Sequence, residues 1–452
     1  MMNSVRTDIL RQVRERDVRM VRFLYCDTSS IIRGKATHVR GLEDRLHSGI
    51  GLTVAMQAMC MLDQLANIDG LGAVGEIRLV PDPRTFVVLP YLPRVASMCV
   101  DMMTLDNEPW AFCPRSFLKR MIARLEGQGM RIRASFEGEY SLLAADGDML
   151  RPIDSSLCFS TVGMDTSAAV INATIDALEA QGLQVEQYYA ELAHGQQELS
   201  IRHAEGLDAA DNQITYRETV RGVAQQHGLV ASFAPKPLVD QAGNGCHLHF
   251  SLVGRDGRTS LFYDRGAPYN LSTTARQFTA GVLEHLPALV ALTCSSVNSY
   301  RRLQPQAWSS AYTCWGPDNR EAAIRVASPF AGDEAGTINA ELKACDHTSN
   351  PYIALGALIA AGLDGIARKL DLPDPVLADP SLLSEADRTA RGVKRLPGSL
   401  TEALDELAAD AVLCGALGPE LVSAIQGVKR LEARLFAEQD VDFELNRHNT
   451  RF

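Results

Sequence analysis

Glu137-Gly138-Glu139 sits inside an otherwise apolar run, with Ala134-Ser135-Phe136 before it and Tyr140-Ser141-Leu142-Leu143 after it. A run of this composition reads as a strand, and strand residues two apart point to the same face. Glu137 and Glu139 therefore project side by side from a half-buried surface. Each carboxylate makes the other harder to ionise. A fold that keeps such a pair either leaves it in solvent at a sheet edge or places a cation beside it. Mg2+ and Mn2+ are fitting cations, because carboxylate oxygens suit hard divalent ions. On this pair alone both readings stand.

More residues of the same chemistry follow. Glu191 and Glu198 bracket Leu192-Ala193-His194-Gly195-Gln196-Gln197, and Gly195 permits a tight reversal that turns both carboxylates toward one point. His247-Leu248-His249 again has period two, after the turn-forming stretch Gln241-Ala242-Gly243-Asn244-Gly245. Glu341 lies in Ile338-Asn339-Ala340-Glu341-Leu342-Lys343. Singly, each has an ordinary reading as a surface acid or a hydrogen-bonded core histidine. A cationic set occupies the same half: Asn298-Ser299-Tyr300-Arg301-Arg302-Leu303 and Asn319-Arg320-Glu321-Ala322-Ala323-Ile324-Arg325. Arginine forks match phosphate and carboxylate oxygens. Divalent ions with several arginines are what phosphoryl transfer needs, because charge on the moving group must be neutralised. The histidine pair also admits a zinc hydrolase site, which the surrounding hard carboxylates disfavour.

In this order and spacing the motifs, with Lys236-Pro237 and Asn350-Pro351-Tyr352, resemble the glutamine synthetase family over essentially the full length. The resemblance implies an α+β fold: an N-terminal β-grasp domain over 1–112 and a catalytic domain over 113–452, built on a curved antiparallel sheet with helices. It implies a homo-oligomer, a dodecamer of two hexameric rings with active sites between subunits. One metal would fall on Glu139, Glu191 and Glu198, and a second on Glu137, His247 and Glu341, giving two or more Mg2+ or Mn2+ ions per site. Glu186, His249, Ser251 and Arg325 would face ATP, the co-substrate. Glu139, Gly243, His247, Arg302 and Lys343 would face glutamate, and Arg302, Arg320 and Arg325 would serve catalysis. The implied reaction phosphorylates the glutamate γ-carboxylate with ATP, and an amine then displaces phosphate.

Two departures bear on the amine. Ammonia-using relatives carry Asp-Gly-Ser-Ser in the N-terminal domain, whereas this chain has Gly49–Met61 with no acid before Asp63. A second family carboxylate, on a flap, is replaced by Trp308. Loss of both acids points to a bulkier, hydrophobic or aromatic amine such as aniline, which is neutral at pH 7. Leu52, Met56, Met59 and Trp308 are the expected lining. Polyamines fit less well, because a dication wants acids. Ordinary ammonia-using glutamine synthetase and a non-catalytic scaffold are the alternatives. Ala242, Asn339 and Lys343 also depart from the family, Lys343 keeping an arginine's charge without its fork.

The chain has 452 residues, 46% hydrophobic, enough for one large core and a smaller one. A net charge of −11 disfavours nucleic acid. Ten cysteines without zinc-ligand spacing, after an opening Met1–Arg6 with no signal-type segment, read as cytoplasmic thiols. Strands are expected at Val21–Tyr25 and Ala36–Val39 around a turn at Arg33-Gly34, and at Thr85–Pro90. A linker is expected at Asp106–Pro109 and a helix over Pro114–Leu125. Asn350-Pro351 signals the start of a core helix, Tyr352–Leu370, rather than a membrane span. Asp371–Leu396 reads as a mobile surface stretch, and Leu404–Phe436 as helical.

Overall fold

The computed structural model describes residues 2–147 and 149–452; Met1, the first residue of the opening stretch, lies outside them. Two sheets organise the chain. The first contains β1 (Met20–Cys26), β2 (Ile32–His38), β3 (Ile50–Thr53), β4 (Glu76–Pro81), β5 (Val87–Val88) and β6 (Val95–Met103). Their order is β2-β1-β6-β4-β3, with β5 on β6, and β1 runs parallel to β6. Period-two alternation sends Val21, Phe23 and Tyr25 into the core of this sheet, while Leu24 and Cys26 join the larger core behind it.

The expected turn at Arg33-Gly34 lies inside β2 instead. The reversal is Asp27–Ser30: Asp27 Oδ1 accepts from the Ile31 N–H at 2.9 Å, and Ser30 takes a φ of 71°. Gly34 serves close approach rather than a turn, since an added Cβ would lie 2.7 Å from the Phe23 carbonyl oxygen. The strand expected over Thr85–Pro90 shortens to β5, because a helical turn over Pro83–Thr85, capped by Asp82, takes up its first residue.

The second sheet contains β7 (Met130–Asp146), β8 (Met149–Pro152), β9 (Val185–Ala190), β10 (Gln196–Ile201), β11 (Ala204–Glu205), β12 (Val230–Ser232), β13 (Cys246–Gly254), β14 (Trp315–Pro317), β15 (Ile324–Ala327) and β16 (Asn339–Leu342). It is antiparallel as expected, except for the parallel pair β14–β15. β7, 17 residues long, is its spine. β13 and β12 pair along one edge of β7, and β11, β10 and β8 along the other. Ile132, Ala134 and Phe136 point to the main core, so the odd-numbered residues, Glu137 and Glu139 among them, take the opposite face. Gly138 is required between them: on the core side an added Cβ would lie 2.9 Å from Tyr216 Cε1 and 3.1 Å from the His347 ring.

Helices back the sheet. Pro114–Gly127 starts after Cys113, whose Sγ accepts from the Ser116 N–H. Pro351–Arg368 begins at Asn350, whose side chain accepts from the N–H groups of Tyr352 and Ile353, and stops at Lys369 in the left-handed region. It is long and apolar enough to cross a membrane by composition, yet it is buried inside the protein. The expected helix over Leu404–Phe436 is three helices, Leu400–Ala409, Ala411–Leu417 and Pro419–Ala437, followed by Val441–Arg451. Residues 371–396 are tied to the sheet, with Trp315 Nε1 donating to the Pro373 carbonyl at 2.7 Å and Val376 and Val393 packed on Cys314 and Ala322. All ten cysteines are free thiols.

The helices Thr273–Glu284 and Pro351–Arg368 touch backbone to backbone at Gly281 and Gly365. A Cβ on Gly365 would lie 2.2 Å from the Gln277 carbonyl oxygen, and one on Gly281 would lie 2.2 Å from that of Ala361. Gly365→Ala is therefore expected to force the helices apart and lower stability by about 1–3 kcal/mol, the usual cost of overpacking. Urea or thermal unfolding checks this, and an unchanged midpoint contradicts the packing described.

Candidate active site

Strand register assembles the acids. Glu198 on β10 stands opposite Glu139 on β7, and His247 on β13 stands opposite Glu137. One step along, Arg325, Glu341 and His249 form a row across β15, β16 and β13. The Gly195 reversal (φ 68°) between β9 and β10 brings Glu191 to the same end.

The cluster divides into two halves of different charge balance. In one, His247 Nδ1 lies 3.0 Å from Glu341 Oε1 and 3.4 Å from Glu137 Oε2, and His249 Nε2 lies 3.2 Å from Glu137 Oε2. Lys343 Nζ donates to Glu341 Oε1 at 3.1 Å. Burial opposes the charge on Glu137, but the imidazoles of His249 and His247 outweigh it and hold the carboxyl well below its ordinary range. Burial likewise opposes Glu341, and Lys343 and His247 hold it low. For His249 burial is outweighed by Glu137, and its pKa rises to about 9.

The other half has weaker compensation, its nearest imidazole being His247, whose Nε2 lies 3.9 Å from Glu139 Oε1. Among the described residues, no Lys or Arg pairs with Glu139, Glu191 or Glu198. Glu139 Oε2 accepts from Gln196 Nε2 at 2.8 Å and from the Gly245 N–H at 2.9 Å. Burial and then Glu139 raise Glu191. Burial, then Glu137 and Glu139, push Glu198 well above its ordinary value, against a hydrogen bond from the Tyr189 hydroxyl. A cation seated here would relieve that repulsion.

The residues fit divalent metal. Ligand atoms of Glu137, His249 and Glu341 lie within 4.8 Å of one another. Arg325 Nε lies 3.0 Å from Glu341 Oε2 without hydrogen-bond alignment, so that buried oxygen has no hydrogen-bond partner. The resemblance assigns His247 to this site and His249 to ATP. The structure presents both rings to the same carboxylates, since period two puts them on one face and Asn339 Oδ1, 2.9 Å from His249 Nδ1, orients the second ring.

Arg302 is 4% exposed, and its Nη2 donates to the carbonyls of Lys343 (3.2 Å) and Cys345 (2.8 Å). Gly243 packs on its stem: an added Cβ would lie 2.7 Å from Arg302 Cγ. The Gly243 carbonyl accepts from Gln196 Nε2, which also holds Glu139, so the glutamate-facing residues and the acids share one support. Lys343, expected at glutamate, is engaged by Glu341. Arg325 borders the acids, Arg320 is exposed, and Ser251 is half-buried opposite Arg133. Glu186, expected at ATP, is paired with Arg202 at 2.8 Å.

The residues expected to line the amine pocket differ in exposure. Leu52, expected as lining, is 5% exposed and packs into the core of the first sheet, a correction that follows from its inward position on β3. Met56 packs partly on the same core, and Met59 is half-buried. Trp308 stands 57% exposed on the loop after Arg302. Gln196 and Tyr189, which hold Glu139 and Glu198, carry no motif of their own. The hairpin register was the available signal, because the turn at Gly195 sets Tyr189 directly opposite Glu198.

Known proteins agree with this architecture. Residues 2–110 match the glutamine synthetase N-terminal domain and residues 111–448 the glutamine synthetase catalytic domain. The chain is 38% identical over 413 residues to a gamma-glutamylpolyamine synthetase of Streptomyces coelicolor, covering 90% of this chain and 88% of that protein. It is 36% identical over 397 residues to a glutamine synthetase of Halobacterium salinarum, covering 86% of each. Among solved structures it is similar to a novel glutamine synthase homolog (TM-score 0.87, 34% identity, 96% of this chain and 99% of that one). It is also similar to GmaS in complex with ADP (TM-score 0.85, 29% identity, 97% and 99%).

The weakly compensated half gives a pH test on chelator-treated protein. Glu198 has a raised folded pKa, so the folded state holds a proton that the unfolded state releases. Stability is then lost as pH rises from the ordinary glutamate value through the raised one. Glu198→Gln removes the repulsion and keeps an acceptor for Tyr189. It is expected to raise the unfolding midpoint near neutral pH and flatten this pH dependence. A lower midpoint with unchanged pH dependence contradicts the charge assignment.

Proposed function

The chain belongs to the glutamine synthetase family of ATP-dependent ligases, and we propose that it joins the γ-carboxyl of L-glutamate to a primary amine larger than ammonia. Trp308 carries the reading. It stands exposed beside the buried Arg302, where the family pattern calls for an acid, and Gly49–Met61 carries no acid to replace it.

The residues divide the work. Glu139, Glu191 and Glu198 would hold one divalent ion, and Glu137, His247 and Glu341 a second, with His249 within reach. Bound there, the ions would neutralise phosphate oxygens and lower the barrier to phosphoryl transfer. Arg325 borders that surface, and Arg325 and Arg320 would take phosphate oxygens on their forks. Arg302 would orient the α-carboxylate of glutamate, so that its γ-carboxylate attacks the terminal phosphoryl group of ATP. The products are γ-glutamyl phosphate and ADP. The amine then attacks the activated carbonyl, and phosphate leaves. Positioning and exclusion of water matter because water attacking the acyl phosphate would waste it.

The favoured nucleophile is a hydrophobic amine resting on the indole of Trp308. A polyamine is the second reading, supported by the likeness to a gamma-glutamylpolyamine synthetase. Because Trp308 is open in a single chain, we place Met56 and Met59 of a neighbouring subunit opposite it, in a ring-shaped homo-oligomer.

Phosphate release with glutamate, ATP and Mg2+, compared across ammonium, alkylamines, aniline and spermidine, tests the reading. A larger amine is expected to give the highest kcat/KM. Trp308→Glu is expected to lower kcat/KM for large apolar amines about tenfold or more, the scale of a lost apolar contact, and to improve ammonium. Ammonium as the best nucleophile of the unaltered chain contradicts the proposal.

A further inference from the structure

The loop that carries Trp308 is held in an unfavourable backbone shape. Gln306 (φ 57°), Trp308 (φ 52°) and Ser310 (φ 69°) all lie in the left-handed region, and none is glycine. Side chains disfavour that region, the more so when bulky, so the surroundings must impose the shape. Three side chains do so. Ser309 Oγ donates to the Arg302 carbonyl at 2.6 Å, Ser310 Oγ donates to the Ala322 carbonyl at 2.8 Å, and Glu321 Oε1 accepts from the Trp308 N–H at 2.7 Å. The Gln306 N–H turns to the same carboxylate. Alternating backbone of this kind forms a small cup of N–H groups suited to an anion. Here the chain supplies its own anion.

Glu321 suits that task. It is 9% exposed, and its own N–H donates to Asn319 Oδ1 at 3.0 Å. The Asn319 amide donates to the carbonyls of Val376 (2.7 Å) and Ala378 (3.0 Å). The backbone of Glu321 is thus braced, and its carboxylate meets the loop at the Trp308 N–H. It follows Arg320 directly in sequence, so one turn carries both an exposed arginine at the phosphate end and the anchor of the amine end.

We propose that Glu321 is a positioning residue for the amine: its buried carboxylate locks the 304–310 loop so that Trp308 presents its ring beside Arg302. The proposal deepens the reading of Trp308 as the amine wall and rests on it. Glu321 touches no reacting atom. Its effect runs through the Trp308 N–H.

Two variants and two measurements test it. In Glu321→Ala, hydrogen exchange at the Gln306 and Trp308 amides is expected to accelerate at least tenfold. The kcat/KM for the preferred amine falls about tenfold or more through its KM, while the KM values for ATP and glutamate hold. Glu321→Gln keeps an acceptor oxygen and is expected to restore most of the exchange protection and of the amine KM. Unchanged exchange in Glu321→Ala overturns the proposal, as does an equal loss for all three substrates, which a merely structural role would produce. Ammonium as the best nucleophile of the unaltered chain would remove the amine reading while the exchange result still decided whether Glu321 fixes the loop.

Discussion

Carboxylates gathered on one sheet face repel one another, and only strand register keeps them together. β7 bears the constraint. Its core face packs Ile132, Ala134 and Phe136, and its other face carries Glu137 and Glu139. Slipping that register by one residue would turn both acids into the core and the phenylalanine into the site. Apolar burial on one side therefore holds in place the electrostatic strain on the other. The strain is unevenly met: Glu137 and Glu341 have imidazoles and Lys343 beside them, whereas Glu191 and Glu198 have mainly other acids. A cation bound beside Glu191 and Glu198 would relieve the most repulsion.

The same logic links the two sheets. Lys429 and Glu432, each 1% exposed on the helix Pro419–Ala437, pair at 3.0 Å. Glu432 Oε1 accepts from Ser29 Oγ and from the Met61 N–H, both at 2.8 Å, and Lys429 Nζ donates to the Ser29 carbonyl. A buried ion pair left without one partner is costly. The turn after β1 and the end of the 54–61 segment are therefore fixed to the catalytic half of the same chain. Met56 and Met59 are carried on that fixed segment, both half-buried.

Much of the site was legible because period two is simple. Glu137 with Glu139, and His247 with His249, share faces by spacing alone, and Gly195 announced the hairpin that brings in Glu198. Asn350-Pro351 likewise marked a helix start. Long-range pairing was less legible. That Arg325, Glu341 and His249 form one row depends on β15, β16 and β13 lying adjacent, which no local pattern encodes. Gly34 was read as a turn because glycine's freedom and glycine's small size look alike in a sequence. Leu52 was read as pocket lining because an apolar residue next to a missing motif says nothing of which way it points. Glu321 was hidden for the opposite reason: a lone acid beside an arginine reads as a surface pair until its partner proves to be a backbone N–H.

The account rests on a charge argument: acids held against their own repulsion are there to hold divalent ions. Manganese binding, followed by electron paramagnetic resonance in the presence of a non-hydrolysable ATP analogue, tests it most directly. The account predicts at least two ions bound per chain, with loss of one in Glu139→Gln. No stoichiometric binding by the intact chain, or binding indifferent to Glu139, would contradict it.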